Sequence, residues 1–402
     1  MKSLVIVLAA CAAPAPPPAT PELALASDLP AVCSSPEIVR IPRGFPYAFR
    51  FKPPATPGAP VLVYLPGGPG MTSIDQVPEF LPAGWGYLLT DPRGVGCNRL
   101  AELPPPEFFS SAAFTDDVIA AIDDRQLDRY VLYGISYGTL LATRVAATVD
   151  RAPSAVVMEG VLGRAFQPGE YYATASANQW TRLRAMMPDD VRTELDTSAE
   201  PYGVTSDGWS RALDQILLGG TAIVSLELAA LSTSLPDDIR SQALAALHMY
   251  ADAPELADPA SVQLYRGVAC REIDDTAPAD DLDPLFVHGQ LVRNVAEVGT
   301  KCGDLHVTEP YDSAAYQFAA PAYYFVGQRD IATPPSQGAY AFEHHTGPAV
   351  RVISQEAGHL SLQLDQSSCA SDVLTSIASG GDDLPLVLAT CPLAVDITAT
   401  AT

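Results

Sequence analysis

The sequence Gly-Ile-Ser-Tyr-Gly at residues 134–138 constrains the fold of this 402-residue chain more than any other segment. It directly follows an apolar run, 130–133, that predicts a buried strand, and directly precedes a segment, 140–149, that predicts a helix. Small residues around Ser136 allow a sharp turn that raises its hydroxyl above a sheet edge, at a helix N-terminus where negative charge is favoured. The pattern predicts a strand–turn–helix unit with Ser136 as candidate nucleophile; the alternative is a serine in a purely structural turn.

Short apolar runs of the same kind recur along the chain, and segments with helical periodicity, such as 114–128, separate several of them. The further strand candidates are 61–65, 87–90, 155–158, 322–326 and 349–353. This alternation predicts an α/β fold with a mostly parallel central sheet and helices on both faces. Residues 161–304 lack the strand rhythm but contain helical segments such as 222–231 and 239–250, which predicts a helical cap inserted into the sheet domain.

The N-terminus has the features of an export signal. Lys2 is followed by an apolar run, and Leu-Ala-Ala-Cys at 8–11 resembles a bacterial lipoprotein signal in which Cys11 is acylated. The alternative is an ordinary secretory signal cut nearby. We expect residues 1–10 to be the signal peptide, 11–30 a Pro/Ala-rich tether, 31–160 and 305–402 the two parts of the core, and 161–304 the cap.

Export places the chain in an oxidising compartment, where paired cysteines are expected. Beyond Cys11 there are six, which allow 15 pairings: Cys33, Cys97, Cys270, Cys302, Cys369 and Cys391. No C-x-x-C occurs, so we expect no metal site, and no motif calls for a cofactor.

The formal net charge of −24 limits the partners of the protein. Nucleic-acid binding depends on basic groups that displace counterions from phosphates, so this class of partner is excluded. The same charge argues against adhesion to anionic lipid, and no apolar run reaches the length of a transmembrane helix. We therefore expect membrane contact only through a lipid at Cys11.

A serine nucleophile requires a base, and the base requires an acid that orients it. Asp330 follows the strand candidate 322–326, and His359 follows 349–353 with Gly358 before it. The order serine, acid, histidine is that of α/β-hydrolase triads, which predicts Asp330 as the acid and His359 as the base. The other histidines are interpreted as ordinary surface or core residues: His248, His288, His306, His344 and His345.

An oxyanion hole requires two N–H groups directed at the developing negative charge. The amide of Tyr137, next to the nucleophile, is one candidate. The second is expected from the loop after strand 61–65, where Pro69 has no N–H and Gly68 is the better candidate. The alternative is that residues 67–70 form a plain turn.

Together these motifs resemble the proline iminopeptidase and tripeptidyl aminopeptidase group of α/β-hydrolases, over about residues 61–391. The resemblance is carried by Gly-Gly-Pro-Gly at 67–70, Asp-Pro-Arg-Gly at 91–94, residues 134–138, Asp330 with Thr333 and Pro334, and Gly358-His359. Two departures are present: Pro66 stands where the group usually has histidine, and Cys97 with Asn98 stands where a small residue and serine are common.

The resemblance implies a Ser-His-Asp hydrolase with a helical cap that releases N-terminal residues or short peptides. The segment at 268–272 and the C-terminal cysteines resemble the exported branch of the group, with its tripeptidyl-aminopeptidase-like C-terminal region. This supports the pairs Cys369–Cys391 and Cys270–Cys302, which leaves Cys33 and Cys97 as the remaining pair.

Three functions are compatible with these residues. The first is an exported aminopeptidase acting on peptides with a free N-terminus, the second a carboxylesterase-like hydrolase on the same triad, and the third a non-catalytic binding lipoprotein. An aminopeptidase requires carboxylates near the substrate ammonium. Glu159, directly after strand 155–158, and Glu272, beside Cys270, are the candidates, although Glu159 could instead cap the following loop.

Overall fold

The computed structural model describes residues 23–104, 108–167, 169–170, 172–219, 228–252, 259–273, 307–363, 368–391 and 395–400. The predicted signal peptide and acylation site at Cys11 lie outside these residues, as do Cys302 and most of the predicted helix 222–231. Within the described part of the chain, no helix combines the length and apolarity needed to cross a bilayer.

A nine-stranded sheet forms the centre of the structure. Its strands are β1 (Ile38–Pro42), β2 (Pro46–Lys52), β3 (Val61–Leu65), β4 (Gly86–Thr90), β5 (Tyr130–Ile135), β6 (Ala155–Glu159), β7 (Ala322–Gly327), β8 (Ala349–Ser354) and β9 (Val395–Ala399). The spatial order is β1-β2-β4-β3-β5-β6-β7-β8-β9. All pairs from β4 to β8 are parallel, whereas β1, β2 and β9 join the two edges antiparallel. The mostly parallel sheet expected from the sequence is confirmed.

Helices cover both faces of this sheet. The helices outside the insertion are α1 (Ser111–Asp124), α2 (Tyr137–Thr148), α8 (Pro335–His344), α9 (Cys369–Ala378) and α10 (Leu384–Thr390). Alternate residues of β5 point to opposite faces, so that Leu132 packs in the cluster with α1 and α2 and Tyr133 in the cluster with α9 and α10. Burial on both faces explains why the central strands are continuous apolar runs.

The insertion between β6 and β7 is helical wherever the structure describes it in regular elements. It contains α3 (Tyr172–Met186), α4 (Asp189–Thr197), α5 (Ser206–Leu218), α6 (Asp237–Ala251) and α7 (Pro259–Val268). Trp180, Trp209 and Leu247 belong to a separate apolar cluster within the insertion, which also includes Ile331 of the sheet domain. The insertion is therefore packed directly against the residue that follows Asp330.

The sequence analysis did not predict β1, β2 or β9. β9 has no buried residue, and β1 has polar and proline residues at exposed positions, so neither contains the apolar run by which the central strands were found. These strands are held by antiparallel pairing at the edges of the sheet, a long-range contact that local composition does not indicate.

Candidate active site

Ser136 occupies the sharp turn between β5 and α2. Its φ of 52° lies in the left-handed region, which non-glycine residues seldom adopt, and its side chain is only partly buried. A Cβ at Gly134 would lie 2.3 Å from the Gly138 carbonyl oxygen, and one at Gly138 would lie 2.1 Å from that of Leu65. Neither flanking position therefore has room for a side chain. The turn holds Ser136 at the N-terminus of α2.

Asp330 and His359 form a buried pair. The carboxylate oxygens of Asp330 lie 2.9 and 3.0 Å from His359 Nδ1, and the two residues are 4% and 9% exposed. Asp330 Oδ1 also accepts the amides of Ala332 and Thr333 at 2.8 and 2.9 Å, and Oδ2 accepts the Thr333 hydroxyl at 2.6 Å. These donors hold the carboxylate in place, and the carboxylate in turn orients the imidazole through Nδ1. The second ring nitrogen, Nε2, is not bound to Asp330.

The electrostatic surroundings of His359 favour its protonated form. Burial by itself lowers the pKa of the imidazole, but the charge and hydrogen bond of Asp330, with a further contribution from Glu159, outweigh burial and raise it above its usual value of 6.5. The group is thereby poised to accept a proton near neutral pH.

The peptide segment at Glu159 and Gly160 connects the serine to this pair. The Glu159 carbonyl oxygen accepts the Ser136 amide at 2.8 Å. Gly160 has a φ of 61°, and a Cβ there would lie 2.8 Å from His359 Cε1, so the imidazole ring packs directly on the glycine. Ser136 and His359 thus both contact the Glu159–Gly160 segment, and Asp330 joins them through its hydrogen bonds to His359; their action as a triad stays a prediction.

The predicted oxyanion loop lies against the serine. A Cβ at Gly67 would lie 3.1 Å from Ser136 Cβ, and the Met71 amide donates to the Gly67 carbonyl at 3.3 Å, which closes a tight turn. Gly68 has a φ of 111° and sits inside this turn. The turn adjoins the nucleophile as an oxyanion hole requires, and the role of the Gly68 and Tyr137 N–H groups stays a prediction.

Asp91 organises the loops behind this turn, a role that the sequence analysis did not assign. Its carboxylate is 1% exposed and accepts the amides of Ser73, Ile74 and Cys97 at 2.7, 3.1 and 3.1 Å. Burial raises the pKa of Asp91 to about 6 despite these three donors. The Asp-Pro-Arg-Gly motif was the available signal for this residue.

Glu159 is engaged inside the protein, which corrects the expectation that it binds a substrate amine. Its side chain is fully buried; Oε2 accepts the Tyr133 hydroxyl at 2.7 Å, and Oε1 accepts the amides of Leu362 and of Gln363, the latter at 3.0 Å. Both oxygens are engaged within the protein. The carboxylate therefore secures the chain just beyond His359, rather than facing a ligand or capping the loop that follows it.

Glu272 is likewise engaged inside the protein. It is 3% exposed, forms an ion pair with Arg144 at 3.0 Å, and accepts the Ser111 amide at 3.0 Å, at the start of α1. A buried carboxylate that is paired with a guanidinium has no free charge to offer an ammonium. The expectation that Glu272 binds the substrate amine is therefore also corrected.

Two of the three expected disulfides are present, Cys33–Cys97 and Cys369–Cys391. Cys270 is disulfide-bonded as well, and its expected partner lies outside the described residues. Within the described residues, no group of three or more His, Cys, Asp or Glu side chains is arranged to hold a metal ion.

The insertion contacts the proposed base, His359, directly, a feature that sequence reasoning missed. The main-chain amide of His359 donates to the carbonyl oxygen of Leu218, the last residue of α5, at 2.8 Å. Ile331, next to Asp330, is 1% exposed within the apolar cluster of the insertion. Both members of the acid–base pair are thus held partly by the insertion, and no local pattern in the sequence could have indicated this.

Comparison with known proteins agrees with the fold. Residues 60–365 match the family described as "alpha/beta hydrolase fold", and the chain belongs to this family. It is 27% identical over 131 residues to the candidate non-heme bromoperoxidase BpoC of Mycobacterium tuberculosis, which covers 32% of this chain and 48% of that protein. The chain thus spans about half the length of the curated relatives it matches.

Two solved structures are similar to this chain at low sequence identity. The crystal structure of BpoC from M. tuberculosis is 16% identical, with a TM-score of 0.48 over 85% of this chain and 97% of that one. The crystal structure of proline iminopeptidase from Mycobacterium smegmatis is 17% identical, with a TM-score of 0.46 over 87% and 99% of the two chains.

Proposed function

We propose that this α/β-hydrolase is a serine hydrolase that acts through an acyl-enzyme. The observation that carries the proposal is that Ser136 and His359 both contact the Glu159–Gly160 segment, while Asp330 binds His359 Nδ1. His359 Nε2 takes the proton from Ser136 Oγ as the oxygen attacks an acyl carbon, and it returns that proton to the leaving group as the bond to the carbonyl breaks. Water then attacks the acyl-enzyme by the same route and releases the acid.

Negative charge on the carbonyl oxygen in each tetrahedral intermediate requires N–H donors. We assign this role to the amides of Gly68 and Tyr137. The contact of the Gly67 turn with Ser136 Cβ and the position of Tyr137 at the first turn of α2 support the assignment.

For the substrate, we propose peptides with a free N-terminus. Support comes from the motif resemblance and from the insertion, in which residues 161–304 contain 22 Asp and Glu against 10 Lys and Arg, a net charge of −12. An acidic cap attracts ammonium groups over long range. The acceptor of the amine must be a group other than Glu159 or Glu272, because both are engaged inside the protein.

One observation favours a second candidate, an esterase. Glu159 and Glu272, the two carboxylates placed by sequence near the site, are both withdrawn from it into internal hydrogen bonds and an ion pair. Hydrolysis of an ester does not require carboxylates in the site, because an ester substrate need not carry an ammonium group for the enzyme to bind.

The test compares a free peptide naphthylamide, its N-acetylated form and a matched acyl ester on the wild-type protein. A peptidase of free N-termini hydrolyses the first at least about tenfold faster in kcat/KM than the second, because blocking the amine removes a charge-assisted contact. Equal kcat/KM for the free and acetylated peptides, with faster ester cleavage, would establish the esterase instead.

We also propose that the protein is exported and anchored to a membrane by a lipid at Cys11. The signal-like N-terminus supports this, and the disulfides are weakly compatible with it. Metabolic labelling with a fatty-acid probe should mark the wild type and not Cys11→Ser. A soluble wild-type protein that begins beyond Cys11 would favour the simple secretory route.

A further inference from the structure

A cavity of about 470 Å³ lies beside the proposed oxyanion turn, within the size range of small-molecule sites. Gly68, Pro69 and Met71 line one side of it. Gly67, the residue before this side, touches Ser136 Cβ, and Met71 Sδ lies 3.6 Å from the position of a Gly67 Cβ. The cavity therefore lies next to the turn that contacts Ser136, and a group attached to an acyl carbon at Ser136 could extend past this turn toward it.

The walls of this cavity are mainly apolar. Val95 and Pro30 line it from the sheet domain, and Val262 and Tyr265 line it from α7 of the insertion. Met71 is 51% exposed although it is a large apolar residue. An exposed methionine on a pocket wall is suited to contact apolar groups of varied shape.

Its N-terminal wall is fastened to the rest of the site. The Cys33–Cys97 disulfide joins the segment around Pro30 to the loop that contains Val95. The amide of Ala26 donates to the Arg99 carbonyl at 2.9 Å, and Leu25 forms a β-bridge with Leu100. Pro30 is thereby held as a fixed part of the cavity.

Of the described residues that line the cavity, Arg99 alone carries a charge. Its Nη2 pairs with Asp28 Oδ1 at 2.7 Å and donates to the Asp28 carbonyl at 2.6 Å, but the Asp28 side chain is 79% exposed. Nε of Arg99 is buried and has no hydrogen-bond partner. An exposed ion pair contributes little to stability, so the charge of the guanidinium stays available to a ligand that displaces Asp28.

We propose that this cavity binds an apolar part of the substrate that ends in a carboxylate, and that Arg99 binds that carboxylate. The proposal rests on the proposed serine hydrolase and names its substrate class. A planar guanidinium fork matches a carboxylate, and the apolar walls strengthen the pairing by excluding water. The carboxylate is either the free C-terminus of a short peptide or the distal acid of a dicarboxylic hemi-ester, and the experiment distinguishes the two.

The test measures kcat/KM for two matched substrate pairs on the wild type: a short peptide with a free C-terminal acid against its C-terminal amide, and a hemi-ester against its fully methylated ester. The acid of the preferred pair should be hydrolysed at least about tenfold better than its neutral partner, as a charge-assisted hydrogen bond allows. The pair that shows this preference identifies the source of the carboxylate. Equal rates for acid and neutral forms in both pairs would overturn the proposal.

Two variants separate recognition by Arg99 from a structural role of its ion pair. Arg99→Gln should abolish the preference, chiefly by raising KM for the acid, whereas Asp28→Asn should increase it because the guanidinium is released. A purely structural ion pair would make the two variants behave alike, and that result would overturn the proposal. Arg129→Gln, at an exposed arginine that donates to the Gly58 carbonyl, is the matched control and should change nothing.

The same measurements separate this proposal from the proposed function. If no substrate is hydrolysed in a manner that depends on Ser136, the serine hydrolase itself is refuted. If hydrolysis depends on Ser136 but ignores the carboxylate, only the role of Arg99 is refuted.

Discussion

Glu159 binds the main chain of Ser136: its carbonyl oxygen accepts the Ser136 amide at an N···O distance of 2.8 Å. The carboxylate of the same residue accepts the amides of Leu362 and Gln363, just beyond His359. One residue at the end of β6 therefore ties together the two chain segments that carry the proposed nucleophile and base. It is a positioning residue that acts through both.

The substitution Glu159→Gln should move the acid limb of kcat/KM to lower pH. His359 acts as a base when neutral, and its pKa is raised in part by the Glu159 charge, so activity falls as the pH drops through that raised pKa. Removing the charge lowers the pKa and keeps the base neutral further into acid. The measurement is the pH profile of kcat/KM from pH 5 to 9.

The control for this shift is Glu170→Gln. Glu170 is another buried carboxylate, but its partners are Arg164, Ser336 and Gln337 rather than the site. This variant should leave the acid limb in place. An unchanged limb in Glu159→Gln as well would show that Glu159 has no electrostatic role at His359.

Asp91→Asn should reduce the dependence of the unfolding free energy on pH. The pKa of Asp91 is about 6 in the folded protein against a reference of 3.8, so the folded state holds this proton more tightly than the unfolded state. Its contribution is therefore most favourable below pH 3.8 and is lost as the pH rises to about 6, a change of about 3 kcal/mol. Urea unfolding of both proteins at pH 4.5 and 7 measures the larger part of this change, about 2 kcal/mol.

Asp116→Asn, at an exposed carboxylate of α1, is the control for Asp91. It should retain the wild-type difference in unfolding free energy between the two pH values. If Asp91→Asn retains that difference too, the pKa of Asp91 is not raised in the folded protein.

Ile331→Ala should destabilise the protein by about 2–5 kcal/mol, the usual cost of emptying a buried isoleucine site. Ile331 is 1% exposed, packs with the insertion and directly follows Asp330, so kcat should fall together with stability. Ile397→Ala, on the edge strand β9 where the side chain is 38% exposed, should cost far less. If kcat is unchanged at temperatures where Ile331→Ala stays folded, the packing of Ile331 against the insertion does not contribute to catalysis.

The two described disulfides should stabilise by different amounts. Cys369 and Cys391 are 22 residues apart and Cys33 and Cys97 are 64 apart, which corresponds to about 3 and about 4 kcal/mol in the chain-entropy treatment. Double replacement of each pair by serine, followed by urea unfolding, tests this order. Non-reducing peptide mapping gives the connectivity, and a link between either pair and another cysteine would contradict the structure.

The sequence was sufficient to predict the central strands, and it placed the three proposed triad residues after strands, because both depend on local patterns. The run 61–65 coincides with β3, and Ser136 and Asp330 each follow a fully buried strand, whereas His359 follows β8, which is partly buried. Because each of these residues comes after the carboxyl end of its strand, its position in the chain indicates at which edge of the sheet it lies.

The direction of the Glu159 side chain was misjudged, although strand periodicity contained the necessary signal. Residues two apart on a strand share a face, and Val157 packs in the cluster beside α9 and α10 together with Tyr133. Glu159 therefore points to that side of β6, where it meets the Tyr133 hydroxyl, rather than into a substrate pocket.

The contact of Leu218 with His359 could not be predicted in the same way. It joins residues that are far apart in the chain, and it depends on how the insertion packs on the sheet domain. The same holds for Arg99, whose position in the cavity depends on the N-terminal segment that the Cys33–Cys97 disulfide fixes.

The most direct test of the central claim is stoichiometric labelling with a fluorophosphonate, followed by mass spectrometry of the modified peptide. The account predicts one adduct per chain, located on Ser136, in the wild type and in the exposed-serine control Ser379→Ala. It also predicts no adduct in Ser136→Ala, which should lose about 10⁴-fold or more in kcat while remaining folded. Stoichiometric labelling of Ser136→Ala would contradict the assignment of Ser136 as the nucleophile.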